Sequence, residues 1–251
     1  MLPVNKVPKP GPPDPFEHLP QLRERVLAAD QSRARVTPEV LANWDKKVLE
    51  AGGNRRWRQP DADREANRRD VLSAIDPDAE FWVFAYGSLM WDPGLYFAEV
   101  RRARLLDHVR RFNYQVIAGR GTLARPGLVL SLMPSPGCLC DGLAYRIASD
   151  QIEQETQLLW RREMLRGGYR PEWLDLKTPQ GQVRAVVFTA NPDEPMYVHD
   201  LSLEQTAERL ALAEGNLGKN RDYLAQLAKQ LDCLQIEDSY VDALHQLVSA
   251  L

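Results

Sequence analysis

A short glycine-containing turn follows an apolar segment near the middle of the chain. The segment from residue 81 to 85 is aromatic and β-prone, and Tyr86-Gly87-Ser88-Leu89 comes directly after it. A glycine at a strand end permits a sharp reversal and lets a ligand approach the backbone closely. Successive backbone N–H groups in such a turn can also form a concave site for an anion. An ordinary strand-end turn has the same pattern, so the local sequence leaves both interpretations open.

A glutamate lies on the apolar face of a helix predicted over residues 151–165. At about 100° per residue, Glu163 falls on the same stripe as Leu159. Burial raises the pKa of a carboxylate, and the last turn of a helix disfavours negative charge. Both effects favour general acid/base catalysis near neutral pH. The alternative is a buried salt bridge with Arg162 or Arg120.

A third candidate is the loop over residues 215–222. Gly215, Gly218 and Asn220 predict a turn that ends at the N-cap of a helix. Tyr223 follows in the first turn of that helix and is a candidate for a pocket wall or a hydroxyl donor. A simple helix-linking loop is the alternative.

Several familiar catalytic and metal-binding patterns are missing from the sequence. It has no phosphate-binding G-x-x-x-x-G-K-[ST] loop, no G-x-G-x-x-G dinucleotide turn and no G-x-S-x-G nucleophile elbow. The histidines are isolated, without partners at metal-ligand spacing. Cys138 and Cys140 would share one face of a strand, but two sulfurs are half a zinc site, and packing is the favoured interpretation. We therefore expect no metal and no cofactor.

The elements that must position these candidates change in type along the chain. Helices are predicted from Pro38 to the glycines at 52–53 and from Asp63 to Ile75. Further helices are predicted at 151–165, 203–214, 221–234 and 240–250. Strands are predicted at 81–86, 103–114, 127–133, 138–147, 169–177 and 183–190, with a hairpin turn at 179–181. This order indicates an α+β fold with a largely antiparallel, curved sheet.

The part of the chain before this sheet differs in composition. The first twenty residues contain seven prolines, which cannot join a helix interior or a sheet ladder. We expect residues 1–20 to form a Pro-rich arm or tail, 21–80 a helical extension and 81–251 the catalytic domain.

The overall composition narrows the class of protein. The 251 residues are 44% hydrophobic and 27% charged, with a net charge of −3. The near-neutral charge supplies no global field for nucleic acid, and no apolar run is long enough to insert into a membrane. The three cysteines are too few for a disulfide framework. A soluble, cytoplasmic protein is therefore expected, and its protein partners stay unknown.

Taken together, these residues resemble the ChaC family of glutathione-specific γ-glutamylcyclotransferases. The matching blocks occur in family order at residues 82–93, 119–122, 125–127, 142–146, 159–164, 168–174 and 218–224. Departures are modest: Ala85 replaces a usual glycine, Asn216 replaces a common proline, and residues 116–119 differ from the eukaryotic type. The last departure affects which details of the substrate can be carried over from the family, and it does not affect the expected chemistry.

The resemblance implies a γ-glutamylcyclotransferase-like mixed β-barrel with packed helices and an N-terminal helical extension. It also implies that Glu163 is the general acid/base and that the segment from 83 to 89 grips the γ-glutamyl group. The residues implied in binding are Val83, Phe84, Ala85, Tyr86, Gly87, Ser88 and Leu89, with Tyr223 as a further candidate.

The implied reaction explains why the sequence has no nucleophile or metal-binding motif. The α-amine of glutathione attacks its own γ-carbonyl, and the products are 5-oxoproline and Cys-Gly. Because the nucleophile belongs to the substrate, neither an enzyme nucleophile nor a metal is required. Two alternatives remain: a non-catalytic glutathione-binding or transporter-regulating module, and a cyclotransferase for other γ-glutamyl amines.

Overall fold

The computed structural model describes residues 13–50, 52–76 and 79–251. Five strands close into a barrel in the order β1-β3-β2-β4-β5. The strands are β1 Phe81–Ala85, β2 Glu99–Val116, β3 Gly127–Ile147, β4 Tyr169–Thr178 and β5 Gly181–Ala190. The α+β barrel expected from the sequence is therefore confirmed.

The barrel is mixed because of the two neighbours of β1. This strand pairs antiparallel with β3 along its whole length and parallel with β5 at Trp82–Ala185 and Val83–Val186. All five side chains of β1 are buried in the hydrophobic core. The chain leaves β1 after Ala85 and turns at the end of the barrel, which is where the glycine-containing turn lies.

The long hairpin of β2 and β3 differs from its prediction. Residues 134–137 were expected to separate two strands, but β3 continues through them as one strand, with Pro134 opposite His108. The pairing shifts register between Leu106 and His108, and the Gly137 N–H donates to Asp107 Oδ1 at 2.8 Å. A bulge therefore accommodates the prolines without ending the strand.

Six helices flank the barrel within the described part of the chain. They are α1 Pro38–Glu50, α2 Asp61–Ser73, α3 Ile152–Glu163, α4 Leu203–Leu212, α5 Asn220–Cys233 and α6 Ser239–Ser249. A short hairpin precedes α5 where only a loop was predicted. Its strands, of two residues each, are β6 Glu214–Gly215 and β7 Gly218–Lys219. None of the helices in the described ranges is long and apolar enough to cross a membrane.

The N-terminal extension contacts the outer surface of α3 through ion pairs. Arg35 donates to both carboxylate oxygens of Glu155 at 2.6 and 2.7 Å. Arg68, which is 1% exposed, donates to both carboxylate oxygens of Glu153 and to Thr156 Oγ1. These contacts fix α2 and the segment before α1 against the helix that ends at Glu163.

The predicted Pro-rich arm falls mostly on residues 1–12, which lie outside the described residues. The part that is described packs more closely than a surface tail. The Pro15 carbonyl accepts the Val100 N–H at 3.0 Å, and the Phe16 ring meets Phe97 edge-on at 5.5 Å between centroids. Leu19 is buried in the core. Residues 14–19 therefore cover the start of β2.

Candidate active site

The glycine-containing turn is held rigidly at the end of the barrel. The Tyr86 hydroxyl donates to the Phe188 carbonyl at 2.7 Å, and the Tyr86 carbonyl accepts from Arg110 Nη1 at 2.6 Å. Residues Ser88–Met90 then form one 3₁₀ turn. Val83, Phe84 and Ala85 contribute buried side chains to the barrel wall, and Leu89 is also buried.

Gly87 lies in close contact with α5. A Cβ atom added at this position would lie 3.0 Å from the Tyr223 hydroxyl and 3.4 Å from Leu130 Cδ1. A side chain at this position would therefore have to displace the Tyr223 hydroxyl by a few tenths of an ångström. This brings together two of the three features that the sequence singled out.

The third feature, Glu163, is the last residue of α3. Its side chain is 15% exposed, and Oε1 lies 3.0 Å from Arg162 Nε. Burial raises the pKa of the Glu163 carboxyl, and the positive charge of Arg162 opposes that shift only in part. The salt bridge and the raised pKa were alternatives at the sequence level, and both occur here. Arg120 instead donates to the Lys219 carbonyl at 3.1 Å.

Arg162 links the catalytic candidate to the turn, a role that the sequence analysis missed. Its Nη1 donates to the Asp92 and Pro93 carbonyls at 2.6 and 3.2 Å, and Nη2 donates to Ser88 Oγ at 2.9 Å. One guanidinium thus contacts Glu163 and the loop after β1. Only its position next to Glu163 could have indicated this contact.

Two buried tyrosines and one half-buried tyrosine lie close enough to Glu163 for its charge to affect them. Burial and then the Glu163 charge raise the pKa of Tyr86 well above its ordinary value. The same two causes raise the pKa of Tyr223 to about 12, although hydrogen bonds with Ser88 act in the opposite direction. Burial, Tyr86 and Glu163 raise the pKa of Tyr169, whose hydroxyl donates to the Leu130 carbonyl at 2.8 Å. All three phenols are therefore neutral donors at physiological pH.

Tyr169 is the second residue that the sequence analysis missed as a neighbour of the site. It begins β4 shortly after α3 ends, and its ring stacks on Tyr114 at 5.6 Å between centroids. The sequence offered one signal for this contact: Tyr169 begins a predicted strand only six residues after Glu163.

Asn220 has a different role from the one predicted. It is the first residue of α5 rather than its N-cap, which is Lys219. Its side chain accepts the Leu128 N–H at 2.7 Å and donates to the Leu128 carbonyl at 2.9 Å. Asn220 thus fixes the start of α5, and with it Tyr223, to the barrel.

The two cysteines of β3 have different environments. Cys140 is buried, as the packing interpretation predicted, whereas Cys138 is exposed. Residues 136–139 are all exposed, so both faces of the hairpin are open to solvent there. The packing interpretation was therefore wrong for Cys138.

Comparisons with known proteins place this arrangement in a family. The model of the family described as ChaC-like protein matches residues 81–251. The chain is 36% identical over 204 residues to a glutathione-specific γ-glutamylcyclotransferase of Escherichia coli (strain K12), covering 81% of this chain and 87% of the relative. It is 32% identical to glutathione-specific γ-glutamylcyclotransferase 1 of Danio rerio, covering 65% of this chain and 86% of the relative.

A solved structure supports the fold. A crystal structure of a γ-glutamyl cyclotransferase specific to glutathione from yeast superposes with a TM-score of 0.64 at 22% identity, covering 69% of this chain and 97% of that chain. The family match spans every element of the barrel and all residues around Glu163, so the chain belongs to the ChaC-like protein family.

Proposed function

We propose that this chain is a glutathione-specific γ-glutamylcyclotransferase that cleaves glutathione to 5-oxoproline and Cys-Gly. Membership of the ChaC-like family and the names of two relatives support the activity and its substrate. The observation that carries the mechanism is the buried carboxylate of Glu163, which has a raised pKa and faces the turn after β1 through Arg162.

The reaction is an internal displacement at the γ-carbonyl carbon. The substrate α-amine forms a new C–N bond and closes a five-membered ring, and the amide bond to the cysteine nitrogen breaks. The α-nitrogen loses two protons on going from ammonium to lactam, and the leaving nitrogen gains two on going from amide to ammonium. One proton passes through the catalytic group, and the other exchanges with solvent. No net oxidation or hydration occurs, so atoms balance between glutathione and the two products.

Glu163 performs both proton transfers in this proposal. Its raised pKa makes the carboxylate a stronger base than an exposed glutamate, and the positive charge of Arg162, 3.0 Å away, favours the ionised form that a base requires. The carboxylate takes the proton from the ammonium and then returns it to the leaving amine. One group suffices because the two transfers occur in sequence.

The surrounding residues hold the substrate in a reactive conformation. The flexible γ-glutamyl chain must be folded so that amine and carbonyl meet, which is costly in solution and favourable in a rigid site. In this proposal, backbone N–H groups of Gly87 and Ser88 bind a carboxylate or the developing oxyanion. The Tyr223 hydroxyl, which lies against Gly87, is the side-chain donor. Arg162 is a positioning residue that holds Glu163 and Ser88 together.

The decisive experiment compares the wild-type chain with Glu163→Gln. Glutamine has nearly the same shape but cannot accept the proton, and general acid/base catalysis typically contributes about 10²–10⁴-fold. We expect a fall of that size in 5-oxoproline release from glutathione. Glu208→Gln, on the exposed side of α4, is the matched control and should keep full activity.

The alternatives give different results in the same assay. Turnover of other γ-glutamyl amines without turnover of glutathione would indicate a different substrate. Saturable glutathione binding without 5-oxoproline from the wild-type chain would indicate a binding module. Activity of Glu163→Gln within about threefold of wild type would exclude the base role, given the contribution expected of a general base.

A further inference from the structure

A cavity of about 570 Å³ lies between the N-terminal extension and α3, outside the site described above. Helices α1 and α2 and the outer side of α3 form its walls. Its lining includes the carboxylates Asp45, Asp61 and Glu65 and the arginines Arg64 and Arg161. Its volume falls within the range of about 300–1,000 Å³ that is typical of small-molecule sites.

The carboxylates on this surface already have arginine partners. Asp45 lies 2.8 Å from Arg58 Nη2, and Asp61 is paired with both Arg58 and Arg64. Glu65 lies 2.7 Å from Arg68 and 2.8 Å from Arg69. No lining carboxylate is therefore left over to neutralise a further cation.

Two arginines on the cavity wall keep donor groups that no carboxylate satisfies. Arg64 is 5% exposed and pairs with Asp61 through Nη2, but its buried Nη1 has no hydrogen-bond partner within the described ranges. Arg161 has no carboxylate within 4.0 Å among the same residues, and its hydrogen bond is a long one of 3.5 Å to Gln157 Oε1. The exposed Glu39 interacts with Arg161 only beyond ion-pair distance.

The electrostatic setting of Arg161 agrees with this geometry. Burial and then the positive charge of Arg64 lower the pKa of the Arg161 guanidinium, and the charges of Asp61 and Glu65 oppose the shift only in part. A shift in this direction means that the charged form is disfavoured where it stands. A buried guanidinium donor without a partner also carries a desolvation cost that an anionic acceptor removes.

We propose that this cavity binds a small organic anion whose phosphate or carboxylate group pairs with Arg64 and Arg161. Pro38 and Ala42 line the cavity as apolar residues that can contact the body of the same ligand, above the buried Leu41 and Trp160. A molecule bound there bridges α2, from the extension, and α3, which ends at Glu163. The site is separate from the cyclotransferase chemistry, so its test does not depend on the proposed function.

The test is direct binding to the full chain by isothermal titration calorimetry with matched probes. Phenyl phosphate and benzoate share an apolar ring and differ in the anionic group, and phenol has the ring alone. We expect saturable binding of one or both anions and none of phenol at the same ionic strength. Arg161→Gln should weaken the binding at least tenfold. Arg184→Gln, which removes an exposed arginine on β5, is the control and should bind like wild type.

Equal affinity of wild type and Arg161→Gln would overturn the proposal, as would the absence of saturable anion binding at millimolar concentration. If the variant does not fold, hydrogen exchange of the wild-type chain decides. Phenyl phosphate or benzoate should then slow exchange in residues 61–73 and 152–163. Slowing confined to other segments, or none at all, would exclude the site.

Discussion

The two sides of α3 show how one helix can place similar carboxylates in opposite environments. At the barrel-facing end, burial raises the pKa of Glu163. On the side that meets the extension, the hydrogen bond from Arg68 lowers the pKa of Glu153. Glu155 is 1% exposed, yet Arg35 contacts both of its oxygens. The two buried carboxylates therefore differ in how completely a guanidinium satisfies them: Arg35 contacts both oxygens of Glu155, and Arg162 contacts Oε1 of Glu163.

The two sides of α3 differ in role. We call the side that holds the extension through Glu153 and Glu155 the structural side, and the end that carries Glu163 the chemical side. Arg35 makes a two-pronged contact with Glu155, and such a pair fixes the extension in place. Arg162 contacts Glu163 through Nε and directs its other nitrogens to the loop after β1. In our proposal, the partial pairing leaves Glu163 able to exchange a proton.

The largest effect on stability is expected from breaking the structural pair. Arg35→Ala leaves the Glu155 carboxylate buried with the Tyr96 N–H as its remaining donor. Removal of one partner of a buried ion pair costs about 3–5 kcal/mol, so the free energy of unfolding in urea should fall by about that amount. Arg33→Ala, at an exposed site nearby, is the control. A change below about 1 kcal/mol, the range of exposed pairs, would contradict the comparison.

The next effect concerns the chemical side and its close packing. In Gly87→Val, the added atoms meet the Tyr223 hydroxyl and Leu130. Overpacking of this kind costs about 1–3 kcal/mol. If that strain displaces the turn that binds the substrate, glutathione affinity should fall by about tenfold or more, because tenfold corresponds to about 1.4 kcal/mol. Titration of glutathione into Glu163→Gln with and without Gly87→Val measures binding apart from turnover. An unchanged affinity would exclude the turn from the site.

The two sides should also differ in how pH acts on them. The folded-state pKa of Glu163 is raised, so folding favours its protonated form, and the ionised carboxylate weakens the fold at neutral pH. Glu163→Gln should therefore raise the melting temperature by a few degrees at pH 7. The difference should shrink as the pH falls through the raised pKa of the wild-type carboxyl.

The same group should set the acidic limb of the activity profile. Since the base must be ionised, kcat/KM should fall as the pH drops through a pKa above the ordinary value for glutamate. A profile that stays flat down to the ordinary glutamate range would conflict with the environment described for Glu163.

Periodic patterns predicted most of the fold. The stripe on α3 identified Glu163 because burial follows helical spacing, and Thr156 and Leu159 are indeed 1% exposed. The alternation of apolar runs and turn residues likewise located the barrel strands. These features depend on local sequence, which is what such patterns report.

The features that were missed depend on distant parts of the chain. Arg162 contacts residues about seventy positions earlier, and the spacing of α3 does not reveal that loop. Asn220 satisfies the backbone of Leu128, so its cap-like sequence was misleading. Phe16 and Leu19 pack on the core despite their proline-rich surroundings. Each of these contacts joins residues that are far apart in the sequence, so local spacing does not reveal it.

The smallest effect is expected on the structural side, at its exposed rim. The Glu153 side chain is 70% exposed although its partner Arg68 is buried. In Glu153→Gln, Arg68 keeps its contacts with Glu65 and Thr156, so no buried charge is left unpaired. Exposed pairs contribute about 0.2–1 kcal/mol, and the urea midpoint should shift accordingly little. A loss as large as that of Arg35→Ala would mean that exposure does not separate the two pairs, and that the extension docks as a single cooperative network.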